Sequence, residues 1–570
     1  MTASAPLLNA TNASCADNVP RFIGNSGPDS SLLVMRYQRL IIGVTAAMAV
    51  YASSVDAQQC DTVSSRTSMS ALTGARIRSL RIVTEGPPEF PGMARAFDKL
   101  HVRTREQTVR RQIRFAAGDT IDTLAVGESI RRLRGLRYLR DVELRGIRCD
   151  GQDADLVLAT RDDWSVKPKL QMRSAGRAEI GVTERNLLGS GRELAMHVRS
   201  QQGRIGVGAT FNDPWFLGSR IGAVLGQDTY RDGSELSATL RLREETVLAP
   251  WGAELAGLDS RYEPAGPGHD QFERSSVHLL VRRSLLSTRV AVTSVLAGAE
   301  TERADLLAGL NAPIVGPGRA SRNFTGLSLG AARASVAYDT LTWMLPNNAI
   351  VDVPLSFEGE AVVGVGRDAV LDMPMMHLDL WTGKAWLLSR RSLAVADLWA
   401  SGYSSTRGWD AAAFRGSFGY YRAAKRGFWS SRLTAERLLN PDPDVRTFVT
   451  IDPTARLLPD RDRLAEGALG LAVERDVRLR SLTRSWALDG ALFGAASSRW
   501  EAVSPSPEHV DVATLGIGLR LTPTRVGRGT ARLDLGIPVA GSSLAKRGVY
   551  FGIGLSPWWG DERHRAGRRD

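Results

Sequence analysis

From Val166 almost to the C-terminus, apolar residues alternate with small or polar ones. A period of two residues is that of a β-strand, because successive side chains point to opposite faces of the sheet. The alternating segments are about ten residues long, the length of a tilted strand that crosses a lipid bilayer. The clearest apolar sets are Leu194/Met196/Val198, Ile205/Val207/Ala209/Phe211, Leu236/Ala238/Leu240/Leu242, Leu515/Ile517/Leu519/Leu521 and Val549/Phe551/Ile553/Leu555.

Strands of this kind are expected to close into a barrel. Lipid offers no hydrogen-bond partner to an open sheet edge, so a membrane-spanning sheet must pair its first strand with its last. At about 25 residues for each strand and its connection, residues 163–559 predict an antiparallel transmembrane β-barrel of about 16 strands with a polar lumen. A soluble β-sandwich or propeller would also alternate, but the chain shows no blade repeat.

The N-terminal region has the layout of a secretory signal peptide at residues 35–57. Arg36 and Arg39 precede a short apolar run, and small residues follow it, with cleavage expected after Ala57. Residues 1–34 are interpreted as a non-structural leader or a start assigned too early. A single membrane anchor is the alternative, although the apolar run is short for a spanning helix.

Charge and hydropathy exclude two classes of protein. The formal net charge is +12, but the basic residues are scattered and form no cluster that would bind nucleic acid. After the signal peptide, no apolar run reaches the length of about 18 residues that a spanning helix needs, which excludes a helical inner-membrane protein.

Two cysteines, Cys60 and Cys149, follow the signal peptide. In an oxidising compartment such a pair is a reasonable disulfide. The bond would close a loop of about 90 residues and stabilise the fold by roughly 4 kcal/mol in the chain-entropy model. Two free thiols are the alternative.

Residues 75–162 differ in period and predict a small α+β domain in the order β-α-α-β-β. An alternating strand comes first, and two segments with one apolar helix face follow it. Thr104 and Gln107 have the spacing of a capping box before the first helix. Two further strands are separated by Asp150-Gly151. Residues 58–74 are interpreted as a linker.

This domain resembles a POTRA (polypeptide-transport-associated) domain. The resemblance rests on the Gly118-Asp119 turn and on the pattern Leu133–Gly135, Tyr138-Leu139 and Val142. The fold class is therefore expected to be mainly β, with one POTRA domain before the barrel and a charged tail at 560–570.

Two turns early in the barrel region resemble those of the BamA/TamA-type outer-membrane assembly factors. They lie in "ERNLLGSGREL" and in "FNDPWFLGSR". Phe211 is expected late in about the fourth barrel strand, with Trp215 and Phe216 at the level of the lipid headgroups. The motif residues are Asn186, Leu188, Gly189 and Gly191 in the first turn, and Asn212, Pro214, Trp215 and Phe216 in the second.

The resemblance also implies an arginine-bearing loop that folds back into the lumen. The motif is assigned to Arg407-Gly408-Trp409, with Phe414-Arg415-Gly416 as a rival match and an ordinary loop arginine as a further alternative. An arginine in a polar lumen would pair with inward carboxylates, for which Asp489 and Asp534 are candidates.

The resemblance implies a protein of the outer membrane of a Gram-negative-type bacterium, with its POTRA domain in the periplasm. It would assist the insertion of outer-membrane proteins or the translocation of polypeptides. Its expected partners are membrane lipid, unfolded outer-membrane proteins or a secreted polypeptide, and periplasmic or lipoprotein accessory factors. The alternatives are a two-partner secretion translocator, a passive porin and a structural surface protein.

No pattern supports catalysis, a cofactor or a metal site. Gly326–Gly330 matches Gly-x-Ser-x-Gly, but it lies in an alternating strand without the helix that a nucleophile elbow requires. The histidines show no metal-ligand spacing. Arg161–Asp163 is interpreted as a solvated hinge before the barrel.

Overall fold

The structure is a computed structural model, and the residues it describes fall in two parts of one compact unit. The segments interpreted above as a leader, a signal peptide and a charged tail lie outside them. The described ranges are 60–64, 72–87, 101–149, 153–173, 177–201, 204–230, 233–242, 248–262, 271–307, 321–344, 350–440, 465–483, 485–501, 509–524, 529–541 and 550–557.

The N-terminal domain is a four-stranded sheet with two helices. Its elements are β1 (Cys60–Ser64), β2 (Arg76–Glu85), α1 (Glu106–Arg110), α2 (Thr123–Gly135), β3 (Leu139–Cys149) and β4 (Asp153–Asp162). The strand order is β1-β3-β4-β2, and β2 runs parallel to β4. The β-α-α-β-β order matches the prediction. The 58–74 linker assignment was wrong in part, because β1 lies there and pairs with β3.

Helix α2 forms because its polar and apolar residues segregate to two faces. Asp122 caps its first turn by accepting a hydrogen bond from the backbone N–H of Leu124 at 2.9 Å. The apolar face packs on the sheet, where each fully buried aliphatic side chain contributes about 1.5–3 kcal/mol. The central residues of this core are Val126, Ile130 and Leu133 on the helix and Leu144, Leu156 and Leu158 on the strands.

The backbone register places Cys60 directly opposite Cys149 in the β1–β3 pair. Opposed residues of an antiparallel pair have Cα atoms about 4.5–5.5 Å apart, within the range that a disulfide spans. The Cys60–Cys149 bond remains a prediction that this register favours.

Twenty strands form a single closed antiparallel barrel, in which each strand pairs with its neighbours along the chain. Two short strands, β15 and β16, interrupt that order and form their own two-stranded sheet. In chain order the strands are β5 (Val166–Arg173), β6 (Arg177–Leu187), β7 (Arg192–Gln201), β8 (Arg204–Asp213), β9 (Ile221–Tyr230), β10 (Gly233–Leu242), β11 (Trp251–Tyr262), β12 (Gln271–Ser287), β13 (Ala291–Leu307), β14 (Ser321–Ser335), β15 (Tyr338–Leu341), β16 (Val351–Pro354), β17 (Glu358–Asp368), β18 (Met373–Ser389), β19 (Ser392–Ser405), β20 (Gly408–Ala424), β21 (Gly427–Leu439), β22 (Ala465–Ser481), β23 (Trp486–Glu501), β24 (His509–Pro523), β25 (Gly529–Gly541) and β26 (Tyr550–Pro557).

The prediction of about 16 strands was therefore too low. From Val166 to Pro557 the chain has 392 residues for twenty strands, so each strand with its connection takes about 20 residues rather than 25. Several connections are tight turns, such as the two residues between β19 and β20. Phe211 does lie in the fourth barrel strand, β8, as expected.

The barrel presents an apolar outer surface and a polar interior. Leu327 and Leu329 are 72% and 70% exposed, whereas Ser328 between them is 5% exposed and faces inward. A closed sheet that exposes an apolar belt of this kind is what a lipid environment requires. In the part of the chain that the structure describes, no helix is long and apolar enough to cross a membrane.

Because the strands alternate in direction, every second connection lies at the same end of the barrel. The end that carries the N-terminal domain, called here the domain-side end, holds the β6–β7, β8–β9, β14–β17 and β18–β19 connections. The opposite end, called here the far end, holds the β19–β20 turn.

Candidate functional site: the joint between the N-terminal domain and the barrel

A buried carboxylate lies where the N-terminal domain continues into the barrel. Asp162, at the end of β4, is fully buried. It accepts hydrogen bonds from the backbone N–H and the hydroxyl of Thr104, at 2.8 and 2.6 Å, and its Oδ2 lies 2.9 Å from Nε2 of His101. Bonds to a buried carboxylate are among the stronger ones in proteins. The interpretation of this segment as a solvated hinge was wrong.

The capping-box prediction at Thr104 was also wrong, because the Thr104 side chain binds Asp162 and does not cap helix α1. Helix α1 is five residues long, begins after Arg105 and has no side-chain cap. The Thr104 hydroxyl donates to Asp162 instead, because a buried charge is the stronger acceptor.

Asn186 connects this cluster to the first barrel turn. Its side chain is buried, and its Nδ2 donates to the Thr104 hydroxyl oxygen at 2.8 Å. Its Oδ1 accepts the backbone N–H of Gly191 at 2.8 Å. The predicted motif residue therefore holds the β6–β7 turn in shape and also binds the N-terminal domain.

The two glycines of this turn allow the domain to approach closely. Gly189 and Gly191 have φ values of +71° and +74°, which disfavour any residue with a Cβ. A Cβ on Gly189 would overlap the carbonyl oxygen of Arg103, and one on Gly191 would lie 2.7 Å from the Tyr138 hydroxyl. Leu188, by contrast, is 61% exposed.

The Gly189 carbonyl oxygen also receives two donors from the N-terminal domain. The backbone N–H of Arg105 donates to it at 3.0 Å, and the hydroxyl of Thr108 donates at 2.9 Å. The turn is therefore fixed to the start of helix α1 by one backbone donor and one side-chain donor.

The second predicted turn contacts the same domain. Asp213 accepts the backbone N–H of Trp215 at 2.9 Å and the Nε of Arg192 at 2.9 Å, which links the two turns. Trp215 is 8% exposed, and the guanidinium carbon of Arg111 lies 5.8 Å from its ring centroid. The expectation that Trp215 lies at the lipid headgroup level was wrong, because the N-terminal domain covers it.

The N-terminal domain is held at a second place, by the hairpin of β15 and β16. Residues 338–344 and 350–354, which contain these two strands, are called the strap. Arg134 of helix α2 pairs with Asp352 at 3.3 Å. The guanidinium carbon of Arg131 lies 4.2 Å from the ring centroid of Tyr338, whose hydroxyl donates to Glu358 at 3.2 Å. Burial raises the pKa of the Tyr338 hydroxyl, so it remains a neutral donor.

The strap packs on the domain-side ends of later strands. Its apolar residues form a cluster with Ala385 and Leu393, which lie on either side of the β18–β19 turn. Trp343 lies 6.0 Å from Phe428 between ring centroids. In the barrel order, the strap is far around the circumference from the β6–β7 turn. The N-terminal domain is thus attached to two separated parts of the domain-side end.

The barrel closes through a short seam. Among the residues that the structure describes, strand β26 pairs with β5 over three residue pairs, from Gly552–Arg173 to Gly554–Gln171, whereas β25 and β26 share eight. The seam was expected near Leu170 and Val549. The register confirms its position in β5 and beside the start of β26.

Buried ion pairs fill part of the interior. Near the far end, Arg322 is 2% exposed and pairs with Glu302 at 2.5 Å and with Asp410 at 3.5 Å. Its guanidinium carbon lies 4.3 Å from the ring centroid of Tyr403. Because Asp410 lies on β20, this cluster connects β14 to a strand that is not its neighbour.

A second interior cluster connects β22, β24 and β25. Glu474, 2% exposed, pairs with Arg520 at 3.1 Å and with Arg532 at 2.7 Å. Arg520 also pairs with Asp534. Removing one member of such a group would leave the remaining buried charges unbalanced, and breaking a buried ion pair in this way costs about 3–5 kcal/mol.

The structure does not bring the predicted loop residues together. Arg407 is exposed in the two-residue turn at the far end, and Gly408 continues it with φ +103°. Asp489 pairs with Arg478, and Asp534 pairs with Arg520, so neither pairs with Arg407. The two carboxylates were candidates as inward residues on later strands, a pattern that does not reveal that Arg407 and Asp489 lie near opposite barrel ends.

Trp409 stays beside this turn. Its ring lies 5.7 Å from that of Phe414, and its carbonyl oxygen accepts the Nδ2 of Asn440 at 2.8 Å. Arg415, in the rival motif, pairs with Glu436 at 2.8 Å. Any role for Arg407-Gly408-Trp409 in the lumen remains a prediction.

Sequence reasoning missed the strap and the carboxylate of Asp162. The strap had a signal, because alternation stops after Ser335 and "LTWMLPNN" follows with clustered apolar residues and a proline. Asp162 had none, because a buried and an exposed Asp look alike in a sequence.

Comparison with known proteins supports the resemblance. A segment of 158 residues is 25% identical to the outer membrane protein assembly factor BamA of Neisseria meningitidis serogroup B. The chain is related to the BamA/TamA-type outer-membrane factors. The match covers 25% of this chain and 19% of that protein, so the chain spans less than two thirds of its relative. No protein-family model matches.

Among solved structures, CdiB from Escherichia coli has 11% sequence identity and a TM-score of 0.45, over 87% of this chain and 80% of that one. BamA from Haemophilus ducreyi lacking POTRA domains 1–3 has 10% identity and a TM-score of 0.35, over 84% of each chain.

The sequence match and the apolar outer belt agree on the compartment. The protein is a β-barrel protein of the outer membrane.

Proposed function

We propose that the protein inserts unfolded β-barrel proteins into the outer membrane, with residues 75–162 acting as a periplasmic POTRA domain. The observation that carries the proposal is the seam, where three residue pairs among the described residues close a barrel of twenty strands. Strand ends that are not paired across the seam have backbone N–H and C=O groups available to a client strand of almost any sequence.

The attachment of the N-terminal domain supports the same proposal. It is fixed through the β6–β7 turn, which follows the two strands nearest the seam on that side. A client strand bound to the edge of the domain would therefore be delivered close to the seam. A passive porin has no need for a domain held across one end of its pore.

A disulfide across the seam tests the proposal. Gln171→Cys combined with Gly554→Cys would join two residues that the register pairs. The control is Val224→Cys with Thr239→Cys, a paired position in the fully paired β9–β10 ladder. Both variants and the parent are reconstituted into proteoliposomes, given an unfolded outer-membrane barrel client, and assayed for its protease-resistant, heat-modifiable form.

We expect the oxidised seam variant to lose most client insertion, to recover it on reduction, and to keep its solute conductance. The control disulfide should leave insertion unchanged. Normal insertion by the oxidised seam variant would contradict the proposal. Loss of transport of a secreted polypeptide into the vesicles, with normal client insertion, would instead assign the protein to secretion.

A further inference from the structure

An arginine on the apolar outer surface of the barrel lacks a counter-ion. Arg475, on β22, points the same way as the exposed Leu471 and Val473, whereas Glu474 beside it is buried and faces the interior. Among the residues that the structure describes, the Arg475 guanidinium group has no ion pair and no hydrogen bond, and its Nη1 is buried without an acceptor. A cation beside hydrocarbon is costly unless an anion accompanies it, so we expect an anion from outside the protein here.

Two neighbouring strands place an aromatic ring and a second arginine in line with Arg475. Trp429 of β21 lies opposite Arg475 in the register, and its ring centroid is 5.2 Å from the guanidinium carbon. Arg422 of β20 lies opposite Trp429 on the other side. It is exposed and likewise has no ion pair within the described ranges. These three residues, called here the basic row, carry two positive charges on three adjacent strands.

The basic row lies at the edge of the apolar belt. Arg422 and Trp429 flank the turn of residues 425–426, which joins β20 to β21 at the domain-side end. Tryptophan is typical of the headgroup level in membrane barrels. Four residues further along the strands, about 13 Å at roughly 3.3 Å per residue, a second row consists of Phe418, Leu433 and Leu471, all exposed. The arginines are therefore next to a surface suited to acyl chains.

The outward side chains next to the basic row on β20–β23 are uncharged. They include Tyr420, Ser431, Val473, Val477 and Leu492. The β20–β21 turn adds two exposed basic residues, Lys425 and Arg426. The edge of the belt therefore carries a local positive charge at this place.

We propose that the basic row binds the phosphate of an anionic phospholipid in the leaflet at the domain-side end. Guanidinium groups donate paired N–H groups to phosphate oxygens, and the Trp429 indole N–H is a further donor at the same level. A zwitterionic lipid would bring its cationic group towards two arginines and a basic turn, so the site prefers an anionic lipid such as phosphatidylglycerol.

Lipid fits this surface better than other anions do. Inorganic phosphate would satisfy the guanidinium groups but would leave Phe418 and Leu433 uncovered. An acidic protein segment would have to lie on a surface that faces the membrane. A phospholipid contacts the charges with its phosphate and the apolar residues with its acyl chains.

Lipid bound at the basic row would fix the depth of β20–β22 in the membrane, because the phosphate group lies at a defined level of the leaflet. The inference rests on the outer-membrane location and not on the proposed insertion activity. The two are tested by separate assays, so that either can fail alone.

The test uses the purified full chain in a neutral detergent, with bound lipid counted by native mass spectrometry. Phosphatidylglycerol and phosphatidylcholine are titrated separately, and inorganic phosphate and a glutamate-rich peptide are added as competitors. The variant is Arg422→Gln with Arg475→Gln. The control is Arg289→Gln with Arg333→Gln, which removes the same charge from exposed positions at the same barrel end, on the β12–β13 turn and on β14.

We expect the parent protein to bind phosphatidylglycerol in preference to phosphatidylcholine. At about fivefold for each arginine near a membrane surface, the double glutamine variant should bind phosphatidylglycerol about 25-fold more weakly. The control should bind like the parent.

Two further variants separate loss of binding from loss of folding. Arg422→Lys with Arg475→Lys keeps both charges and should bind more tightly than the glutamine variant. Trp429→Leu keeps both arginines, and the loss of the ring should weaken binding by about two- to fivefold. Heat-modifiable migration on gels reports the folded barrel in each variant.

Four results would overturn the inference. The first is an equal loss of lipid in the glutamine variant and the control, which would indicate general charge attraction. The second is displacement of lipid by an equal concentration of inorganic phosphate. The third is binding of the acidic peptide in place of lipid, which would make the basic row a protein interface. The last is as large a loss in the lysine variant as in the glutamine variant.

Discussion

Gly189→Ala should loosen the joint between the N-terminal domain and the barrel. Two effects add at this position. The φ of +71° lies in the left-handed region, where a residue with a Cβ costs about 1–2 kcal/mol. The new Cβ would also overlap the Arg103 carbonyl oxygen, so the β6–β7 turn and the backbone at Arg103 must move apart.

The hydrogen bonds across the joint contribute a similar free energy. Separation would weaken the hydrogen bonds that the Gly189 carbonyl oxygen accepts from Arg105 and Thr108. At about 0.5–1.5 kcal/mol for each bond, the loss adds roughly 1–3 kcal/mol to the backbone cost. The joint should therefore open about 30- to 5000-fold more often than in the parent, from a total of roughly 2–5 kcal/mol.

Gly218→Ala is the matched control. Gly218 has nearly the same φ, +74°, but a Cβ there would meet no atom within 4 Å. The Gly218→Ala variant therefore has the same backbone cost but no steric overlap with the N-terminal domain. Hydrogen–deuterium exchange of the peptide containing residues 103–108, measured in detergent, reports opening of the joint.

The exchange rate of this peptide should rise in Gly189→Ala and remain near the parent value in Gly218→Ala. Equal exchange in the two variants would refute the reasoning, because the close approach of the domain would then contribute nothing.

Three further predictions concern other contacts. Asp352→Asn should weaken the strap by about 1 kcal/mol, since it removes a partly exposed ion pair, and exchange in helix α2 should rise. The Arg78 guanidinium lowers the pKa of the Asp155 carboxyl. The pair therefore stabilises the N-terminal domain above the ordinary carboxylate pKa, and this stabilisation is lost as pH falls through the lowered pKa. Asp155→Asn should make unfolding of the domain less sensitive to acid below about pH 4. Cys60→Ser should abolish the mobility difference between reduced and oxidised protein that a Cys60–Cys149 bond produces on gels.

The controls for these predictions come from the same elements. Asp339→Asn changes a strap carboxylate that accepts the backbone N–H of the neighbouring Thr340 at 2.7 Å, and should leave helix α2 unchanged. Equal effects of the two strap variants would contradict the role of the Arg134 pair. An unchanged acid transition in Asp155→Asn, or identical gel mobility of the parent with and without reductant, would contradict the other two predictions.

The two-residue period of the apolar residues by itself predicted the strands well. The alternation around Phe211 placed that residue in the fourth barrel strand, because a period of two is dictated locally by the backbone. The number of barrel strands was harder to predict from the sequence than the positions of individual strands. It depends on connection lengths, and a connection of two residues between β19 and β20 leaves little trace in the pattern.

The turn motifs show where sequence reasoning stops. The pattern at Asn186, Gly189 and Gly191 indicated a turn that requires glycine, and the structure has φ values to match. What the glycines make room for, the backbone of Arg103 and the hydroxyl of Tyr138, lies more than 45 residues away in the chain. Contacts with distant parts of the chain do not show in the local sequence, and for this reason Trp215 was assigned to the lipid interface although the N-terminal domain covers it.

The sequence by itself determined the strands and the α+β order of the N-terminal domain, since both depend on local periodicity. Only the tertiary structure decided which charges meet. It paired Asp489 and Asp534 with arginines other than Arg407, buried Asp162 at the joint, and placed Arg422 and Arg475 on either side of Trp429. Charge interactions act through space and fall off within a few ångströms in a solvated protein, so they follow from the positions of side chains and not from their order in the chain.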